Sequence, residues 1–340
     1  RMNKTMMRVV GVILVIATFL LISECAKKEK PILGSGDAAS AVYVAPGDYD
    51  EFYAFTSGGF SGQLGVYGLP SGRLFREIPV FSVDPENGYG FNEETKDMLK
   101  TSFGYIPWDD SHHPELSQTD GVTDGRWIFI NGNNTPRIAR IDLKNFETAE
   151  IIEIPNSGGN HGSPFITQNS EYVVASTRFS VPIPQADVPI DSYKENFGGT
   201  ISFIKVNPDD GHMNIEFQII VPGYDYDLAS GGKGPSHGWA FFTCYNTEQA
   251  NTLLEVNASK NDKDFIAAVN WKLAEKYLAE GKGKVRPGEH YTNRMNHTTH
   301  SAVSTRNKTV VTLDPPDCPG LIYLIPEPKS PHGVDVDPSG

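Results

Sequence analysis

The chain of 340 residues carries 42 acidic and 29 basic side chains, which gives a formal net charge of −13, and 39% of its residues are hydrophobic. This acidic balance argues against a nucleic-acid partner, and the length is sufficient for one large domain with a substantial core. The three cysteines, Cys25, Cys244 and Cys318, imply no disulfide framework, and the sequence contains no CxxC metal or redox motif.

The N-terminal end has the pattern of an export signal. Basic residues precede residues 9–22, which carry no charge. That stretch is shorter than the about 20 apolar residues that span a bilayer, but it fits the hydrophobic region of a secretory signal peptide. Residues 21–25 resemble the bacterial lipoprotein box, although Glu24 stands where that box has a small residue. We therefore expect an exported protein, with Cys25 as a lipid anchor or as an unmodified cysteine.

Three hairpins of similar design recur along the chain, and each joins two strands of alternating hydrophobicity through a turn rich in Asn, Asp, Gly or Pro. Their interval of roughly 65 to 75 residues is longer than a usual blade repeat but consistent with β-propeller blades that carry long loops. One helix is predicted at residues 270–280, where Gly281 ends it. The predicted hairpins are 64–80, 138–154 and 201–221.

The chain therefore divides into three predicted parts. Residues 1–24 form the signal peptide, and residues 25–41, which are charged and rich in small side chains, form a tether. Residues 42–340 form an all-β propeller domain with long loops and one short helix.

An adjacent pair of histidines, His112 and His113, follows two carboxylates, Asp109 and Asp110. This grouping suits metal ligation by imidazoles whose rings are oriented by nearby carboxylates. Because adjacent side chains point to opposite faces of a strand, a pair that serves one site is expected on a turn. The alternative is a solvated loop with two exposed imidazoles, and for one of the two carboxylates the alternative is a solvated turn residue.

Two further histidines, His161 and His332, are each followed by glycine and stand just before a predicted strand, at 165–167 and at 334–336. The His pair likewise precedes the predicted strand at 127–130. In a propeller the first strand of each blade lines the central channel, so residues entering it from successive blades point at one axis. Four imidazoles aimed at one axis predict a metal site, which a solvated loop does not explain.

Several motifs, in order from about residue 60 to residue 340, resemble those of the nitrous-oxide reductases, most closely the branch that is exported unfolded by the general secretory route. Besides the His112 and His113 pair, they are LPSGR (69–73), IPVF (78–81), GYGF (88–91), TDG (119–121), DGRW (124–127), NHG (160–162) and KSPHGV (329–334).

The resemblance implies a seven-bladed propeller, of which only part is present here, with a sulfide-bridged four-copper cluster held by seven histidines on its axis. His112, His113, His161 and His332 correspond to four of those ligands and are therefore the expected catalytic and cofactor-binding residues. The other three ligands, and a C-terminal cupredoxin domain with a two-copper electron-entry centre, have no counterpart in these 340 residues.

The resemblance also implies a calcium site, with backbone oxygens from Tyr245 and Val256 and carboxylates from Glu248 and Asp262. Such hard oxygen ligands are those that calcium takes. Ser330 stands where the family often has an asparagine ligand, which is a departure from the pattern.

The function implied is copper-dependent reduction of nitrous oxide to dinitrogen and water in denitrification. The enzyme would work in the periplasm as a homodimer, with an electron donor such as a c-type cytochrome. The 340-residue chain alone is expected to be inactive, because ligands and the electron-entry centre are missing. The alternatives are a non-catalytic propeller lipoprotein that binds a metal or a partner, and a different propeller enzyme such as a calcium-dependent lactonase.

Overall fold

The structure, a computed structural model, describes residues 38–101, 104–162, 164–183, 188–245, 264–288, 309–327 and 331–340. The described residues separate into two compact units, one drawn from residues 1–52 and 68–72 and the other from residues 53–67 and 73–340. In the smaller unit, the Asp50 carboxylate accepts hydrogen bonds from the backbone N–H and the hydroxyl of Ser71, both at 2.9 Å.

The described residues are mainly β-strands. The helices are α1 (Ala38–Ala41), α2 (Tyr193–Asn196) and α3 (Trp271–Ala279). The strands of the first half are β1 (Phe52–Ser57), β2 (Gln63–Leu69), β3 (Leu74–Pro79), β4 (Lys100–Thr101), β5 (Gly104–Tyr105), β6 (Ser111–Thr119), β7 (Val122–Gly132), β8 (Arg137–Asp142), β9 (Glu147–Glu153), β10 (Phe165–Ile166) and β11 (Tyr172–Ser176). The remaining strands are β12 (Val181–Pro182), β13 (Phe197–Val206), β14 (Met213–Pro222), β15 (Asp225–Gly231), β16 (Trp239–Tyr245), β17 (Phe265–Asn270), β18 (Lys284–Pro287), β19 (Thr309–Leu313) and β20 (Ile322–Pro326).

Sheets built on four antiparallel strands follow one another along the chain. One has the order β6-β7-β8-β9, a second is a seven-stranded sheet that contains the antiparallel run β10-β11-β13-β14, and a third has the order β15-β16-β17-β20. Such sheets, repeated in sequence order, are the blades of a β-propeller. The predicted all-β propeller class is therefore confirmed.

The three predicted hairpins are present as the pairs β2 and β3, β8 and β9, and β13 and β14. Helix α3 also forms where it was predicted. The side chain of Asn270 caps its first turn by accepting a hydrogen bond from the backbone N–H of Leu273 at 2.9 Å. Gly281 follows the helix with a φ of +78°, which glycine adopts without a Cβ penalty.

Strands β18 and β19 were not predicted. Both lie between β17 and β20 in the sequence, yet β19 runs parallel to β14 of the preceding sheet, with Gln218 opposite Thr312 and Ile219 opposite Leu313. Strand β18 pairs in turn with β19. The segment between β17 and β20 therefore extends the sheet of β14, although the strands on either side of it belong to the next sheet.

Apolar layers fill the spaces between successive sheets. One layer joins Phe129 of β7 to Val173 of β11, and another joins Phe203 of β13 to Phe242 of β16. Alternating apolar residues along each strand supply one face to each layer. Burial between sheets is therefore what holds the blades side by side.

Replacing Phe203 with alanine should lower the free energy of unfolding by about 3–5 kcal/mol, the usual cost of removing a buried phenylalanine. The Phe203 ring is fully buried and stacks on Phe217 with centroids 4.7 Å apart. Urea unfolding measures the loss, and Val285→Ala on the exposed face of β18 is the control, expected to change stability by less than about 0.5 kcal/mol. Equal losses in the two variants would contradict this account of the core.

Candidate metal site

Three of the four predicted ligand histidines lie together at the first strands of adjacent sheets. His112 and His113 stand at the start of β6, and His161 lies in the loop that leads into β10, a strand that contacts both β6 and β15. The ring centroids form a triangle with edges of 5.4 Å (His112 to His113), 5.3 Å (His112 to His161) and 5.4 Å (His113 to His161). Their role as metal ligands stays a prediction.

The predicted turn at the histidine pair is wrong, because both residues belong to β6. The strand is irregular there: His112 lies opposite Asn131, but the pairing shifts before Glu115. His113 has a φ of +46°, in the left-handed region that a regular strand does not visit. This bulge turns consecutive side chains toward one place, which the alternation of a regular strand forbids.

His332 lies at the margin of the group, with 76% of its side chain exposed. Its Nε2 atom is 3.7 Å from Oδ2 of Asp227, while Nδ1 of His161 is 2.9 Å from Oδ1 of the same carboxylate. Asp227, in β15, is fully buried. This carboxylate, which the sequence analysis missed, therefore stands between two of the predicted ligands. The only sequence signal for it is a charged residue within a strand that follows a hairpin.

The predicted strand at 334–336 does not form. The backbone N–H of Val336 donates to the side chains of Ser230 at 3.3 Å and of Asp335 at 2.8 Å, in place of a neighbouring strand. His332 therefore precedes an irregular segment that is tied to β15 through side chains.

Neither carboxylate before the histidine pair is a solvated turn residue, since Asp109 is fully buried and Asp110 is 4% exposed. Asp109 accepts hydrogen bonds from the backbone N–H groups of Asn134 at 3.0 Å and Thr135 at 2.9 Å, and so anchors the turn between β7 and β8. Oδ1 of Asp110 is 3.7 Å from Nε2 of His112. A role in orienting a ring therefore stays a prediction for Asp110, whereas the contacts of Asp109 give it a structural role.

Asn131 is a second residue that the sequence analysis missed. It is fully buried in β7 opposite His112, and its side-chain amide donates to the carbonyl oxygens of Asn160 at 2.7 Å and His161 at 3.1 Å. One side chain thus fixes the loop of His161 to the strand beside His112.

The protonation of these histidines suits metal binding. Burial, followed by the charges of His161 and His112, lowers the pKa of His113 to about 4. Burial also lowers the pKa of His112, although the charge of Asp110 opposes the shift. Both rings are therefore neutral near pH 7 and present a lone pair to a metal.

The donor set fits copper, for which neutral imidazole is a good ligand. The Nδ1 atom of His112 is buried and has no hydrogen-bond partner among the described residues. Such an atom costs about 1–3 kcal/mol unless it is satisfied, and a bond to a metal would satisfy it. In the described part of the chain, no three His, Cys, Asp or Glu side chains are arranged as ligands of a single metal ion. The ligands of a cluster bind different ions, however, and need not share one point.

Several predicted features lie outside the described residues. They include the signal peptide, Cys25 and three members of the calcium site, Glu248, Val256 and Asp262. The fourth member, Tyr245, is the last residue of β16. The calcium site therefore stays a prediction. Within the segments that the structure describes, no helix combines the length and apolarity needed to cross a membrane.

Sequence comparison relates the chain to known enzymes. It is 33% identical to the nitrous-oxide reductase of Pseudomonas fluorescens and 30% identical to that of Stutzerimonas stutzeri, in each case over 306 residues, or 89% of this chain and 44% of the relative. The chain is a relative of the nitrous-oxide reductases. The enzyme of Cupriavidus necator is 28% identical over 321 residues, which are 88% of this chain and 45% of the relative.

The predicted resemblance is thus confirmed, and the chain spans less than half the length of these nitrous-oxide reductases. No protein-family model matches it.

Solved structures show only a distant likeness. Hydrazine synthase of Kuenenia stuttgartiensis gives a TM-score of 0.45 at 11% identity, over 85% of this chain and 62% of that one. The WD40 domain of Pan2 from Neurospora crassa gives 0.33 at 11% identity, over 65% and 48%. The propeller class therefore rests on the sheets described above.

Proposed function

We propose that the complete protein reduces nitrous oxide to dinitrogen and water at a copper centre held in part by His112, His113, His161 and His332. The triangle of three imidazoles beside buried Asp227 carries this proposal. Support also comes from the relationship of the chain to nitrous-oxide reductases. The reaction consumes two electrons and two protons per nitrous oxide and breaks the N–O bond.

Nitrous oxide is a weak ligand and is kinetically inert, so its reduction requires several electron-rich metal ions acting together. A sulfide-bridged four-copper cluster would supply the two electrons of the reaction when bound, and a two-copper centre elsewhere in the complete protein would reduce the cluster again. The residues of this chain would hold and orient the cluster. Nδ1 of His161 is 2.9 Å from Oδ1 of Asp227, and a ring that carries its N–H on Nδ1, directed at this carboxylate, would leave the lone pair of Nε2 for a metal. Burial keeps the ring of His113 neutral, so that one of its nitrogens also offers a lone pair to a metal.

The remaining parts of the proposal rest on the resemblance. Calcium would be bound by Tyr245, Glu248, Val256 and Asp262, and would hold the loop after β16. The protein would be exported to the periplasm, with or without a lipid on Cys25, and would act as a homodimer that receives electrons from a donor such as a c-type cytochrome.

The test is expression from the complete gene, followed by measurement of copper per chain and of nitrous-oxide consumption with a reduced artificial donor. We expect several coppers per chain, formation of dinitrogen, and loss of activity when copper is removed by a chelator. A folded protein that binds copper without turnover would instead support the non-catalytic metal-binding alternative. Residues 25–340 in the same assay should be inactive, because they supply only four of the seven ligand histidines that the resemblance implies.

A further inference from the structure

The segment after β11 lies against the loop that carries His161. The backbone N–H of Arg178 donates to the carbonyl oxygen of Gly159 at 2.7 Å, and the N–H of Gly158 donates to the carbonyl oxygen of Phe179 at 3.0 Å. Two main-chain hydrogen bonds thus join the Arg178 segment to the approach to His161.

The side chain of Arg178 reaches in another direction, toward His112. Its guanidinium donates to the Oδ1 atom of Asn133. The amide of Asn133 donates in turn to Oδ2 of Asp110 at 3.1 Å, and its backbone N–H donates to the carbonyl oxygen of Asp110 at 2.8 Å. Oδ1 of Asp110 is 3.7 Å from Nε2 of His112.

This chain of contacts is largely shielded from water, because Asn133 is 5% exposed and Asp110 is 4% exposed. The contacts from Arg178 to Asn133 and from Asn133 to Asp110 are hydrogen bonds that involve an ionised group, which are roughly twice as strong as neutral ones. The contact from Asp110 to His112, at 3.7 Å, is electrostatic and is strengthened by burial. Loss of the guanidinium would leave the Oδ1 atom of Asn133 without this donor. The amide could then rotate, and Asp110 would lose the partner that fixes its carboxylate.

We propose that Arg178 is a positioning residue of the metal site. Its side chain fixes the ring of His112 through Asn133 and Asp110, and its backbone fixes the loop of His161. Arg178 thereby joins the two sides of the imidazole triangle without contacting a metal itself. The inference rests on the proposed function only for the identity of the group that the rings bind.

The decisive variant is Arg178→Met in the protein expressed from its complete gene, since methionine keeps an unbranched side chain but has no donor. In the copper-free crystal structure of R178M, the centroids of His112 and His161, now 5.3 Å apart, should separate by about 1 Å or more, a displacement large enough to impair a site. Copper affinity, measured by competition with a chelator, should fall about 10- to 100-fold, as for other residues that orient metal ligands. Arg178→Lys keeps a charged donor group but loses the planar guanidinium, so it should lie between R178M and the wild type.

Arg126→Met is the matched control, because Arg126 pairs with Asp124 at 2.8 Å and lies over the ring of Trp127, outside this chain of contacts. It should leave both the ring positions and the copper affinity unchanged. An unmoved His112 in R178M, or an equal loss in R126M, would overturn the inference.

If R178M does not fold, Arg178→Lys and Asp110→Asn in a double-mutant cycle decide the matter. Their effects on copper affinity should be non-additive, because both act through one route. Additive effects would reject that route. If the wild-type protein binds no copper, the proposed function fails, whereas the ring positions in the copper-free structures of wild type and R178K still decide the role of Arg178.

Discussion

Replacing His161 with alanine in the complete protein should abolish nitrous-oxide turnover and strip copper from the propeller site. His161 closes the imidazole triangle, at 5.3 Å from His112 and 5.4 Å from His113, and it is the ring nearest to the buried carboxylate of Asp227. Its loss removes a donor atom and the imidazole nitrogen that lies 2.9 Å from that carboxylate. Copper per chain and the rate of dinitrogen formation are the two measurements.

Two matched variants show whether the loss is specific. His212→Ala removes a histidine that lies in the turn between β13 and β14, is 63% exposed, and is 2.9 Å from the carboxylate of Glu150 in β9. This variant should retain full copper content and activity. Asp227→Asn keeps the shape of the side chain but removes its charge, so copper affinity should fall about 10- to 100-fold without complete loss. Full copper content in the His161→Ala protein would show that this ring is not a ligand.

The variant Gly162→Ala should be nearly as damaging, for a steric reason. A Cβ at this position would lie 2.1 Å from the carbonyl carbon of Asp227 and 2.1 Å from the backbone nitrogen of Leu228, and neither backbone atom can move alone. The backbone of β15 would have to shift away from position 162, which would move the Asp227 carboxylate away from His161. We expect a loss of about 1–3 kcal/mol or more in the free energy of unfolding, as overpacking usually causes, together with reduced copper content.

Gly333→Ala is the natural comparison, because Gly333 follows His332 as Gly162 follows His161. The nearest atom to its Cβ would be Cδ1 of Leu228 at 3.6 Å, an ordinary van der Waals contact. Stability and copper content should therefore be close to those of the wild type. Equal damage from the two substitutions would mean that the close approach of β15 is not the reason for glycine at position 162.

Local features of the sequence were sufficient for the hairpins and for helix α3. Each depends on residues near one another in the chain: turn residues between alternating strands, or Asn270 at the start of the helix and Gly281 just after its end. Short-range hydrogen bonds and backbone preferences decide such elements before any sheet packs. The grouping of His112, His113 and His161 could be anticipated for a related reason, since each stands near the start of a blade and repeated blades share one geometry.

What the sequence could not decide depends on contacts between distant segments. The predicted strand at 334–336 fails because its backbone meets side chains of β15, and β19 pairs with β14 although strands β15 to β17 lie between them in the sequence. The bulge at His113 results from the way β6 pairs with β7, and no local sequence pattern predicts that pairing.

The same limit applies to the residues that support the imidazoles. Asp227, Asn131 and Arg178 belong to different strands or loops from the rings that they serve, and no motif marks them. The sequence by itself therefore determined the blade repeats, the family relationship and the positions of the histidines, because these depend on local order. Only the tertiary structure decided which carboxylate, amide and guanidinium surround those histidines, because packing between sheets brings together groups that are far apart in the chain.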